Sequence, residues 1–187
     1  MTYTRTKTLA EMTAEVDAYC QETGWRDEEI TFGEAMALLH TEIAEASDAW
    51  RHHGLADATP LRDTGRTIQY GAIKPEGVGS EFADILIRLL DDCMLFRVNL
   101  DAEADRQAGL FGISESFLEN MNTLHVMAAK ASITWEAGER GFAGWFADIL
   151  IFLRQLCERY GIDLQAEYER KMAFNKTRPH RHGGKRK

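Results

Sequence analysis

Two pairs of carboxylates stand three residues apart, Glu42 with Glu45 and Glu81 with Asp84, a spacing that puts each pair on one face of a helix. A chain with 30 acids in 187 residues holds roughly five such pairs by independent placement, normally on solvated helix faces, so spacing alone proves nothing. The surroundings separate these two. From Ser80 onward, Phe82, Ile85, Leu86, Leu89, Leu90 and Cys93 cover more than half of a helical wheel, which marks a largely buried helix. Its one polar stripe carries Glu81, Asp84, Arg88, Asp91 and Asp92. On the helix before it, Met36, Leu39, Ile43, Ala46 and Trp50 form the core face, with Glu42 at its edge and Glu45 one step further out. All four carboxylates can converge between two packed helices, where two charges about 5 Å apart repel by about 3 kcal/mol at an effective dielectric near 20. A hard divalent cation relieves that repulsion; Mg²⁺ fits, with Mn²⁺ as a possible substitute. A plain ion pair between Asp84 and Arg88, at i+4, would relieve it as well, and the spacing leaves both readings open.

Helical periodicity elsewhere predicts helices near 8–23, 32–52, 80–97, 115–136, 143–160 and 163–176, an all-α bundle. Residues 54–80 hold Pro60, Pro75 and five glycines and read as a long loop, with a short strand at 67–73. The length suits one domain over 1–187, and the three cysteines, Cys20, Cys93 and Cys157, have neither disulfide nor zinc spacing. The first nine residues lack an apolar targeting core, and no stretch has the length of a membrane span, so the expectation is a cytoplasmic chain with no membrane partner.

Charge is polarised. The net formal charge is −8, yet residues 170–187 carry eight Lys or Arg and no acid; setting those aside leaves −16 on the preceding chain. So acidic a body makes extended nucleic-acid binding an unlikely use of it.

Two blocks recur in the same order. Residues 39–50 align without gaps on 124–135, and 81–87 on 145–151, continuing with Cys93 over Cys157 and Leu100 over Leu164. The chain reads as two tandem helical hairpins, about 32–100 and 115–164, packing as an internal pseudo-dimer, either as a monomer or associated further as a homodimer. The second copy has Met127, Lys130 and Trp145 where the first has Glu42, Glu45 and Glu81; only Asp148 matches a proposed ligand, Asp84. One site per chain is the expectation.

The motif Glu42-Ile-Ala-Glu45 followed by Glu81-Phe-Ala-Asp84 resembles the ExxE…ExxD metal signature of the MazG-like, all-α nucleoside triphosphate pyrophosphohydrolases, a superfamily that includes helical dUTPases and dCTP pyrophosphatases. The ending, with Lys171, Asn175, Arg178, Gly183, Gly184 and Lys185, is similar to the K…N…R…GGK tail of many such proteins. Resemblance covers about 31–100 and 165–185. It implies hydrolysis of an NTP or dNTP between the α and β phosphates, with Glu42, Glu45, Glu81 and Asp84 holding Mg²⁺ and one carboxylate, Glu45, accepting the proton of the attacking water. Lys171, Asn175, Arg178 and Lys185 would bind phosphates. Thr41 stands where the family often has a further glutamate, and the interval from Glu45 to Glu81 is longer than in compact members.

Lys74, Tyr70 and Trp50 are further candidates for touching the substrate, although Trp50 is matched by Trp135 in the second copy, which suits core packing; Trp25 is a loop candidate. His40 and His125 are matched in the same way, which favours a packing role. Other readings are a strict dUTPase or dCTP pyrophosphatase, a phosphoribosyl-ATP pyrophosphohydrolase, or a non-enzymatic nucleic-acid-binding or scaffold protein using the basic tail. A ferritin-like di-iron centre is excluded, because it needs Glu-x-x-His pairs and the chain has none.

Overall fold

The computed structural model describes residues 6–55, 68–106 and 110–184. Over these the chain is all-α apart from one small hairpin: α1 Leu9–Glu22, α2 Phe32–His53, β1 Ile68–Gln69, β2 Ala72–Ile73, α3 Val78–Leu95, α4 Leu100–Arg106, α5 Phe117–Glu136, α6 Phe142–Tyr160, α7 Leu164–Asn175 and a last left-handed turn, α8 Arg181–Gly184, whose residues all have positive φ. No described helix is long and apolar enough to cross a membrane.

Local chemistry sets the helix starts. Thr8 and Thr31 each accept from the backbone N–H of a glutamate three residues on, Glu11 and Glu34, whose carboxylates return a bond to the threonine N–H. These reciprocal capping boxes satisfy donors the helix leaves open. Ser116 and Asp163 cap α5 and α7 through one side-chain acceptor each.

Two expectations change. The strand expected at 67–73 is a tight antiparallel hairpin pairing Ile68 with Ile73 and Gln69 with Ala72, its turn made by Tyr70 and Gly71 with φ of 53° and 77°; Thr67 lies outside the described residues. Both turn residues at positive φ give the hairpin turn whose twist matches its strands, so the alternation ends where the chain reverses. The segment after α3 is also a helix of its own, α4, which begins at Leu100.

The core is built where α2 packs on α3 and α5, α5 on α6, and α3 on α6. Leu39, Ile43, Ile85, Leu89, Leu124, Phe146, Leu150 and Leu153 are fully buried there, each contributing about 1.5–3 kcal/mol relative to exposure. Around it α1 and α7 cover α3, and α4 covers α6. At the α2–α5 contact the Nδ1 atoms of His40 and His125 approach to 2.8 Å. Their ring centres are 5.1 Å apart at 19°, the arrangement of two rings meeting edge to edge, so one must carry the hydrogen that the other accepts. Burial lowers both pKa values, and His40 lowers that of His125 further. The three cysteines are buried free thiols, pushed up by desolvation, Cys20 and Cys157 to about 12.

Candidate metal and phosphate site

A cleft of about 310 Å³ opens between α2, α3, α7 and the turn after α1. Gly77 precedes α3 with φ of 91°, and Ser80 Oγ donates to the Pro75 carbonyl at 3.2 Å, which fixes the entry of the chain into α3. The first turn of that helix then delivers Glu81, only 9% exposed, into the cleft. One oxygen each from Glu42, Glu45 and Glu81 lies within 4.8 Å of the others. Glu81 Oε2 is buried with no hydrogen-bond partner, a costly state for a carboxylate oxygen in a closed site.

The electrostatics follow from burial and crowding. Desolvation pushes Glu81 up to about 7, with Lys171 opposing the shift and Asp84, Glu45 and Glu42 adding to it. Glu42 is pushed up to about 6, by desolvation first and then by Asp84, against the pull of Arg88. Both shifts favour the protonated acids, as crowding carboxylates do where the nearby cations only partly offset them.

Asp84 shares the cleft but has a different neighbour. Lys171 Nζ lies 2.5 Å from Asp84 Oδ2 and 2.9 Å from Ser80 Oγ. Lys171 is only 4% exposed. Burial disfavours its charge, but the Asp84 and Glu81 carboxylates outweigh that and raise its pKa. The i+4 pairing of Asp84 with Arg88 does not form; Arg88 turns the other way, 3.5 Å from Glu42 and 3.6 Å from Asp91. Asp91 also takes Arg26, at 2.5 Å, and Arg26 reaches Asp17 of α1 at 3.0 Å. This chain of ions ties α2 and α3 to α1.

Lys171, Asn175 and Arg178 face the acids across the cleft. Asn175 Oδ1 and Arg178 Nε are buried without hydrogen-bond partners, so these cleft-lining residues, like Glu81, have unused polar capacity. Lys74 lines the cleft from just beyond β2, as does Thr41 from α2.

Two expected contacts fall elsewhere. Trp50 lies parallel to Phe117 at 5.3 Å, on the core side of α2 and away from the cleft. Its aromatic face is occupied by packing. Tyr70 sits at the hairpin tip, 43% exposed, with its hydroxyl donating at 3.5 Å to the His182 carbonyl; it is not among the cleft-lining residues. Lys185 lies outside the described residues. The polar cleft residues that spacing did not single out include Tyr19, Arg26 and Asp91. Only the acidic stripe of α3 pointed towards one of them, Asp91.

No protein-family model, curated protein or solved structure matches this chain.

Proposed function

We propose that this cleft hydrolyses a nucleoside triphosphate, NTP or dNTP, to the monophosphate and pyrophosphate. The observation that carries the reading is the convergence of Glu42, Glu45 and Glu81 within 4.8 Å, with a buried oxygen of Glu81 lacking a partner. Such a donor set, all hard oxygen and short of positive charge, fits Mg²⁺, and Mn²⁺ in its place. Glu42, Glu45 and Glu81 would hold the ion, and Asp84 would complete the set. Bound there, the ion would neutralise the polyphosphate and acidify a water.

The chain's own residues do the rest. Lys171, Asn175 and Arg178 grip phosphate oxygens and orient the bridging bond, with Lys171 drawing charge from the leaving pyrophosphate. Glu45, on the exposed side of α2, accepts the proton of the water whose oxygen attacks the α-phosphorus as the α–β bridge breaks. The resemblance to MazG-like pyrophosphohydrolases supplies the choice of bond.

The internal repeat suggests two tandem hairpins forming an internal pseudo-dimer, and the contacts favour it. α2 and α5 start at matched positions of the repeat, Phe32 and Phe117, as do α4 and α7, at Leu100 and Leu164. Each contact has its counterpart: α2–α3 with α5–α6, and α3–α7 with α6–α4, while the matched His40 and His125 meet each other. This is the self-complementary pattern of a two-fold interface. A nucleic-acid role for the tail finds less support, because Lys176 pairs with Glu15, Arg170 with Glu167 and Arg181 with Glu28.

Incubating the protein with a panel of NTPs and dNTPs plus Mg²⁺, and resolving the products by anion exchange, tests the proposal. Monophosphate with pyrophosphate supports it; diphosphate with orthophosphate, or no turnover on any nucleotide, overturns it.

A further inference from the structure

The residues after α7 fold back onto the turn after α1 and are fastened there, with His182 reaching the cleft. The Arg181 N–H donates to the Thr23 carbonyl at 2.9 Å, its Nε to the Gly24 carbonyl at 3.0 Å and its Nη1 to Glu28 at 2.8 Å. His180 Nε2 lies 3.3 Å from Asp27, which Arg181 also approaches, at 3.7 Å. The fit against the turn is close: a Cβ at Gly24, where φ is +83°, would stand 2.0 Å from His180 Nε2. Arg181 and His182 both adopt left-handed backbone, with φ of 47° and 50°, a conformation that side chains adopt only when surrounding contacts impose it.

That strained turn places one ring. His182 Nε2 lies 2.8 Å from the Tyr19 hydroxyl, and its imidazole meets Trp25 edge to face, with centres 5.1 Å apart at 83°. Tyr19, Trp25 and His182 all line the cleft, with Leu38, Ile87 and Leu95 beside them. The cleft therefore has two unlike ends. Glu81, Asp84 and Lys171 mark the charged one, while along α3 the step from Asp84 to Asp91 advances about 10 Å, towards the aromatic one. A nucleotide has the same polarity over a comparable length, with charged phosphates, a ribose spacer and a flat, polar-edged base.

We infer that Tyr19, Trp25 and His182 form the slot for the nucleobase, with the tail strap at 180–183 as its closing wall, so that the strap makes the site select nucleotides over bare polyphosphate. This rests on reading the charged end as a triphosphate site. Trp25 and His182 supply aromatic surface that accepts any base face, and the Tyr19–His182 pair supplies polar atoms at its edge. The strap is fastened to the Thr23 and Gly24 carbonyls and to the exposed acids Asp27 and Glu28, so Arg181 acts on the base at one remove, by positioning His182.

Two probes separate the ends of the cleft: α,β-imido analogues of the common nucleoside triphosphates, and inorganic tripolyphosphate, each with Mg²⁺. Binding is followed by tryptophan emission and by calorimetry. At least one analogue is expected to bind about tenfold or more tighter than tripolyphosphate and to change the emission of the wild type but not of Trp25→Phe. His182→Ala and Arg181→Ala should each lower the affinity for the analogue about tenfold while leaving that for tripolyphosphate unchanged, and His182→Phe should restore part of it. Equal affinities for the two probes, or a wild-type analogue signal that survives Trp25→Phe, overturns the slot and leaves the phosphate site standing. Binding of neither probe overturns both.

Discussion

The α2–α3 and α5–α6 pairs share a sequence frame and part company at the side chains that face the space beside them. In the first, carboxylates of Glu42, Glu45 and Glu81 crowd within 4.8 Å. In the second, Met127 is buried in the core, and the ammonium of Lys130 lies 4.7 Å above the ring of Trp145. Trp145 Nε1 donates to Thr134 Oγ1 at 3.1 Å. Two positions that repel in one pair thus attract in the other through a cation–π contact. Asp148, the surviving acid, is raised in pKa by burial and lowered by Lys130. One frame can either close itself or leave a charge deficit that something else must fill, and the choice rests on a handful of side chains.

The most direct way to break the comparison is to swap an amide for an acid in each half. Glu81→Gln should cut turnover about 100-fold or more, within the range for losing a metal ligand, while the melting temperature holds or rises as repulsion is relieved. Asp148→Asn should leave turnover within about twofold of wild type. Equal losses in the two variants, measured side by side, would dissolve the distinction between the halves.

Next in size is Lys171→Met. It leaves the half-buried Asp84 without its cation and should cost about 2 kcal/mol in stability, below the result of breaking one side of a fully buried pair. Mg²⁺ should restore part of this in thermal melts, since it supplies the missing charge to the same cluster. A variant as stable as wild type, with no response to Mg²⁺, would mean that the Lys171–Asp84 pair contributes nothing to the charge balance of the cluster.

The proton occupancy of the cluster sharpens the contrast further. Glu81 is raised from 4.5 to about 7 and Glu42 to about 6, so between 4.5 and about 7 the folded state binds more protons than the unfolded state. Stability from these groups therefore falls as pH rises through that window. Mg²⁺ competes with the same protons, so its affinity should rise with pH over the same interval, as titration calorimetry would record. In Glu81→Gln the pH dependence of both quantities should flatten, whereas in Asp148→Asn it should persist.

The smallest effect belongs to the closed half. Lys130→Ala should cost about 0.5–1 kcal/mol through the lost contact with Trp145 and should leave kcat/KM unchanged. A marked loss of activity would mean that Lys130 reaches the first site.

Much of this arrangement is local, and its local part is legible in the sequence. The helix boundaries follow from capping residues such as Thr31 with Glu34 and from the apolar stripe of α3, so the spans expected from periodicity lie within about two residues of those formed. The convergence of Glu42, Glu45 and Glu81 was visible because each sits at the border of a core face whose partner is the next helix. The counterions were not. Lys171 with Asp84, Arg26 with Asp91 and Arg181 with Glu28 join distant parts of the chain, and no short spacing announces such a pair. Trp50 carried two readings, substrate contact and core packing, and its parallel contact with Phe117 agrees with the second.

The pairing of Lys171 with Asp84 and Ser80 also bears on how the chain reaches its fold. Lys171 and Ser80 are 91 residues apart, whereas α2 and α3 are consecutive helices that can meet early, as local contacts form faster than distant ones. An early α2–α3 hairpin therefore gathers its carboxylates before α7 brings the lysine that offsets them. Where that hairpin leads, refolding crosses a stage at which Glu81 and Asp84 are gathered with only Arg88, beside Glu42, as counterion, and a proton or a divalent cation present at that stage lowers it. The cleft's appetite for positive charge thus acts on folding speed as well as on binding, and refolding in Mg²⁺ is faster than in a chelator to the extent that this hairpin leads.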